Sequence, residues 1–191
     1  MKNRVFDYVV LDEIQKRWSP RAFDPEQKVT REDIMALLEA ARYAPSCFNE
    51  QPWRYIVATS GNKYDKILSA LADTNREWAV NAPVLMVILS KQLFDYNQKN
   101  NRWHLFDAGA SWAYLNLEAQ RRGLVTHAMG GFNTEKIRET FDIPADFSII
   151  AIVAIGYYGN KEELSPENQE REIPSPRKSI EEIMFSADDS R

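Results

Sequence analysis

The chain has 191 residues, 44% hydrophobic and 12% aromatic, enough for one compact domain and too few for a second independent one. A formal charge of -4 and a pI near 5.3 exclude a broad positive field for nucleic acid or anionic membrane, so any anionic ligand must be held by a few placed Arg or Lys side chains. Cys47 is the only cysteine, which rules out an intramolecular disulfide and points to a reducing, cytoplasmic compartment. The N-terminal MKNRVFDYVVLDEIQKR carries charges where a signal peptide would be apolar, and no apolar run reaches the ~20 residues of a membrane span.

Val10, Leu11, Ile14 and Trp18 recur at helical spacing, with Asp7 placed as an N-cap, and predict an opening helix ending near Ser19-Pro20. The SPRAF segment follows as a loop or extended piece. Thr30 and Asp33 form a weakened capping box ahead of Ile34, Leu37, Leu38 and Ala41, a helix that stops at Ala44-Pro45. Tyr55 to Thr59 reads as a strand, and turn chemistry at Ser60-Gly61-Asn62 leads into a helix around Ile67, Leu68 and Leu71.

Val84 to Ser90 is continuously apolar, as a strand covered on both faces must be. Trp103 to Arg122 is a helix with Phe106, Gly109, Ala110, Ala113 and Leu117 at helical intervals, and its small residues permit close packing against another copy of itself. Leu124 to Ala128 is a strand, Asn133 to Phe141 a short helix capped by Asn133 or Thr134, and Ile149 to Ile155 a second buried strand. Beyond Gly156 the charged, proline-containing sequence cannot form a core alone and reads as an arm, residues 157–191, of a single domain spanning 1–191.

The usual catalytic constellations are missing. With one Cys and only His104 and His127, and no HExxH, CxxC or GxSxG, the sequence offers little for zinc chemistry, cysteine redox cycling or serine hydrolysis. Neither GxGxxG nor GxxxxGK[ST] occurs, so a Rossmann or P-loop phosphate cradle is lacking. Three polar clusters at element ends remain: Arg17, Ser19 and Arg21; Pro45 to Trp53; and Pro176-Arg177-Lys178. The first could chelate a phosphate or be a solvated helix end; the second could meet a ring bearing carbonyls and imide nitrogens or be a capped loop. Met129-Gly130-Gly131-Phe132 could admit a flat ligand or simply turn the chain. Trp78, Phe94, Tyr96 and Trp103 are core or the lining of an aromatic pocket.

In order, RWSPRAF, PSCFNEQPWRYIVA, NREWAVNAPVLMVI, HAMGGFN and SPRKSIEEI resemble the nitroreductase family over nearly the whole chain, from about Arg17 to Ile183. The resemblance implies an α+β fold, a central mixed sheet wrapped by helices in an intertwined homodimer with FMN at the interface, and an arm that packs on the partner subunit. It implies that Arg17, Trp18, Ser19 and Arg21 hold FMN, from phosphate and ribityl to the pyrimidine edge, with Arg177 and Lys178 completing the phosphate site. Pro45, Ser46, Cys47 and Asn49 would approach the flavin from the other subunit, buttressed by Gln51. Asn75 would lie near the polar edge, and Gly130 and Gly131 would present backbone N–H to flavin N5.

The sequence departs from the family pattern at Trp18, Cys47 and Trp78, where a basic residue or His, a Ser, and in some members a Lys are found; two of these changes remove positive charge near the flavin. The implied activity is ping-pong electron transfer from NADH or NADPH through FMN to a nitroaromatic, quinone or related acceptor, with no catalytic side chain and no metal. The rival readings are a flavin-binding sensor or store without turnover, and a dimeric interaction protein whose site has decayed.

Overall fold

A computed structural model describes Arg4 and residues 6–185; the end of the expected arm, 186–191, lies outside these. In chain order the elements are α1 (Asp12–Lys16), α2 (Arg31–Arg42), β1 (Trp53–Ala58), α3 (Gly61–Leu68), α4 (Asp73–Ala79), β2 (Val84–Lys91), α5 (His104–Arg121), β3 (Val125–Met129), α6 (Thr134–Thr140), β4 (Phe147–Gly156), α7 (Pro166–Arg171) and α8 (Ile180–Ile183). The four strands form one sheet in the order β1-β2-β4-β3.

The two central strands are apolar throughout because each feeds two cores. On β2, Leu85, Val87 and Leu89 point to one face and Val84, Met86 and Ile88 to the other; on β4, Ile152 and Ala154 oppose Val153 and Ile155. Ile67 of α3, Trp78 and Ala79 of α4 and Ile137 of α6 close the first core. Leu37 and Ala41 of α2 with Leu115 and Ala119 of α5 close the second.

The α+β class and the helix-wrapped sheet agree with the sequence. Every pairing among the described residues is antiparallel, so within one chain the sheet has no parallel neighbours; β2 and β3 run the same way but β4 separates them. Two short helices, where the sequence signalled one, connect β1 to β2. They return the chain to the end it left, as the register Ala58 to Leu85 shows.

The Thr30 capping box is fully made: Asp33 N–H donates to the Thr30 hydroxyl at 3.0 Å and Thr30 N–H to the Asp33 carboxylate at 3.2 Å. The opening helix is shorter than its spacing predicts. Its N-cap is Leu11, not Asp7, and Val9, Leu11 and Ile14 are exposed, so no packing extends its single turn. Trp18 lies beyond it in extended chain, its ring 5.8 Å from that of Tyr158. The beginning of the charged arm packs on its own chain, through buried Leu164, Asn168 and Glu172.

Candidate functional site

The segment 17–24 is held from three sides. From β3, His127 Nδ1–H donates to the Pro20 carbonyl at 2.9 Å, an assignment the carbonyl dictates because it can only accept. From the end of α7, the Glu172 carboxylate, only 4% exposed, accepts Arg21 N–H with both oxygens at 2.9 Å and Ala22 N–H at 2.9 Å. From the exit of β4, Gly159 N–H donates to Ala22 O and Asp24 N–H to Tyr157 O. That contact requires a glycine: a Cβ at Gly159 would lie 2.5 Å from the Phe23 carbonyl carbon.

So fixed, the segment forms one wall of a cavity of about 470 Å³. Arg17, Trp18, Ser19 and Arg21 line it, and Arg177 meets them from the arm. The structure therefore gathers residues 160 positions apart that the sequence could only name separately. It also brings Arg4, His127 and Arg171 to the same cavity, together with Glu170, the one acidic residue among its described lining. Lys178 does not line it and is exposed.

The charges divide into two groups. Burial, then Arg4 and Arg177, push the Arg17 guanidinium below its ordinary value; burial, then Arg177, do the same to Arg4. Arg21 is pushed down by burial and by Arg171, against the pull of Glu172, and its Nη1 reaches the Arg171 carbonyl at 3.4 Å. All remain cationic at neutral pH. His127 is pushed down to about 4, chiefly by burial and further by Arg21 and Arg171, despite its hydrogen bond to Pro20. It is a neutral imidazole whose Nε2 is an acceptor among donors.

The second cluster lies elsewhere: none of Pro45, Ser46, Cys47, Asn49 or Gln51 lines this cavity within one chain. Their loop is strained, with φ of 53° at Phe48, 56° at Asn49 and 50° at Gln51. Polar groups hold it in that shape. Gln51 N–H donates to Ser46 Oγ at 3.0 Å, the Gln51 amide to Asn49 O at 2.9 Å, and Cys47 N–H to the buried Asp107 carboxylate of α5 at 3.1 Å. Phe48 is left 79% exposed, its ring edge-on to Phe94 and Tyr96.

Asn75 and the glycine pair form the third group. The Asn75 amide donates to Gly131 O at 3.1 Å, and a Cβ on Gly131 would come within 2.8 Å of that amide nitrogen, so glycine is needed for the approach. The N–H groups of Gly130 and Gly131 are exposed and donate to no acceptor among the described residues. Trp78 is core: fully packed, it stacks on Phe23 and lies 4.6 Å from the His127 ring.

Arg4, His127, Arg171 and Glu172 were missed in the sequence. His127 stands two residues before Met129-Gly130, where a cue existed; nothing distinguishes Glu172 from the other glutamates of the arm. Among the described residues the cavity pairs no nucleophile with a base. Its chemistry is recognition of an anion, hydroxyls and an acceptor-rich edge.

The fold is thus that of an α+β protein, a helix-wrapped antiparallel sheet beside which an arginine-rich cavity opens. The chain belongs to the nitroreductase family, which its residues 14–79 and 70–157 match. It is 26% identical over 180 residues to YdgI of Bacillus subtilis (strain 168), whose name assigns it provisionally to the NAD(P)H nitroreductases; the match covers 75% of this chain and 86% of YdgI. It is 30% identical over 174 residues to Protein DrgA of Synechocystis sp., covering 76% and 82% of the two chains. A crystal structure of an oxidoreductase containing FMN is similar throughout, with a TM-score of 0.93, 36% identity, and 100% and 98% of the chains covered.

Proposed function

We propose that this protein is an FMN-dependent NAD(P)H oxidoreductase of the nitroreductase type that works as a homodimer in the cytoplasm. The observation that carries the reading is the division of charge in the arginine cavity. Arg4, Arg17 and Arg177 repel one another at one place, Arg21 and Arg171 at another, with the Ser19 hydroxyl and the His127 acceptor in the same lining. FMN fits this donor set: a dianionic phosphate for the first group, ribityl hydroxyls for Ser19 and His127, and the acceptor edge of the pyrimidine for Arg21. Trp18 and Lys178 flank the same place, Trp18 in the wall and Lys178 next to Arg177.

FMN held there would supply the redox chemistry, taking a hydride from NADH or NADPH at N5 and passing two electrons on to a nitroaromatic, quinone or related acceptor in a ping-pong cycle. The chain's own groups bind and orient. Arg21, its backbone clamped by Glu172, sets positive charge where the pyrimidine edge becomes anionic on reduction. The unpaired N–H groups of Gly130 and Gly131, with Asn75 fixed beside them, are donors for the central ring.

The loop bearing Pro45, Ser46, Cys47 and Asn49, buttressed by Gln51, completes the site of the partner subunit in this reading. The surface of α5 supports the dimer. Ala108, Leu115 and Ala119 serve its own core, while Phe106, Gly109 and Ala113 form a second face of small and apolar residues that is exposed in the single chain. Residues 157–191 supply the arm that reaches the partner, beyond the part anchored by Glu172.

The test is an anaerobic titration of the FMN-loaded protein with NADPH and then NADH, followed by the visible absorbance of oxidised flavin. Bleaching by either, reversed by a quinone or nitroaromatic, is the expected result and names the donor. Flavin that binds without bleaching would favour the sensor or store; a protein that takes up no FMN would overturn the reading.

A further inference from the structure

Arg4 stands 13 residues upstream of the motif that begins at Arg17, and its Nη1 donates to the Arg17 carbonyl at 2.7 Å. Its Nε is buried and has no acceptor among the described residues. A buried donor left unmade is costly, and more so on a charged group. The surroundings add to that cost, since Arg177 depresses both Arg4 and Arg17, and Arg4 depresses Arg17 in turn. Among the described residues none of the three has a carboxylate within salt-bridge distance. Three guanidiniums line one cavity, and its one acidic lining residue among those described, Glu170, forms a salt bridge with none of them.

We propose that Arg4 is a third phosphate-binding arginine, its guanidinium donating to a phosphate-monoester group held jointly by Arg4, Arg17 and Arg177. This rests on the FMN reading and adds to it a ligand outside the RxSxR motif. The bond from Arg4 to the Arg17 carbonyl makes the two residues one unit, so the phosphate fastens the N-terminal segment to the cavity wall. A guanidinium suits the role because its planar fork can hold the carbonyl with Nη1 and keep further N–H donors for the anion, which a lysine ammonium cannot reproduce.

Riboflavin, which lacks the phosphate, separates this role from a simple backbone clamp. Dissociation constants of FMN and riboflavin are measured on the apoprotein by flavin fluorescence for wild type, Arg4→Met and Arg4→Lys, with thermal unfolding confirming that each variant folds. Arg4→Met should weaken FMN by about tenfold to a hundredfold while changing riboflavin by no more than about twofold. Arg4→Lys should restore the salt dependence of FMN binding and only part of its affinity. Equal losses for both flavins would reduce Arg4 to a clamp on the Arg17 carbonyl, and an unchanged FMN constant would remove it from the site; either overturns the proposal while leaving the FMN reading intact. Wild-type protein that binds neither flavin overturns both.

Discussion

At the scale of single residues, the site depends on side chains whose partners lie far away in sequence. Glu172 is one of several glutamates in KEELSPENQERE, and only the fold shows that it alone turns inward to hold the backbone of Arg21 and Ala22. Glu172→Gln keeps the shape and one oxygen for both N–H groups, but removes the charge and sets its amide NH₂ against Arg21 N–H, which should cost about 1.5–3 kcal/mol, the range for hydrogen bonds to charged groups. FMN affinity should fall with it, because Arg21 loses its backbone clamp. Equilibrium unfolding and flavin titration of the same variant check both, and unchanged flavin affinity would sever Glu172 from the site.

His127 makes a different prediction. Its folded pKa of about 4 lies below the ordinary value of 6.5, so between these limits the unfolded chain binds more protons than the folded one. Stability therefore rises with pH through this window, and the contribution is lost as pH falls toward 4, at about 3 kcal/mol in full. His127→Gln, which keeps a donor for Pro20 O, should flatten the rise in urea-unfolding free energy between pH 4.5 and 7. An equally steep rise in the variant would place the titrating group elsewhere, with His104, also pushed down by burial, the next to examine.

At the scale of elements, what was legible is what local chemistry decides. The α2 start needed only Thr30 and Asp33, and β2 and β4 declared themselves by unbroken apolar runs. Thr30→Ala should cost about 1 kcal/mol, as removal of an N-cap does. Asp33 also pairs with Arg122 at 3.0 Å and so links α2 to the end of α5. Chemical denaturation decides it; a loss below a few tenths would mean that Arg122 alone holds Asp33. Illegible elements were those fixed by distant partners. Seven residues of DTNREWA carry no helical stripe, and the N-cap of α4, Ala72, is tied to the glycine turn by its N–H donating to Gly131 O. The opening helix erred the other way, its stripe being real but meeting chiefly α5 while Val9, Leu11 and Ile14 stay exposed. The strain of the Pro45 to Gln51 loop was hidden for the same reason, because Asp107 holds it from α5.

At the scale of the whole molecule, the motifs of the arginine cavity were legible in order but not in number, since Arg4 and Arg171 carry no local signature and His127 only its place before Met129-Gly130. The stripe on α5 was legible in spacing but not in direction. Phe106, Gly109, Ala110, Ala113 and Leu117 read as a packing face, yet Phe106 is 74% exposed and a Cβ on Gly109 meets nothing within 4 Å. Gly109 in a helix interior costs roughly 1 kcal/mol relative to alanine, a cost that nothing inside the chain explains. A second helix approaching closely there would explain it. Gly109→Leu should therefore leave the folded chain as stable as wild type or more so, while blocking that approach. If the proposed homodimer forms through this face, sedimentation should show a monomer with unchanged far-UV circular dichroism, and FMN affinity should drop because the loop carrying Ser46 and Asn49 would no longer reach the other subunit's cavity. A variant that stays dimeric would move the interface off this stripe. A monomer that binds FMN as tightly as wild type would confine the site to one chain and leave the strained loop without a role in it.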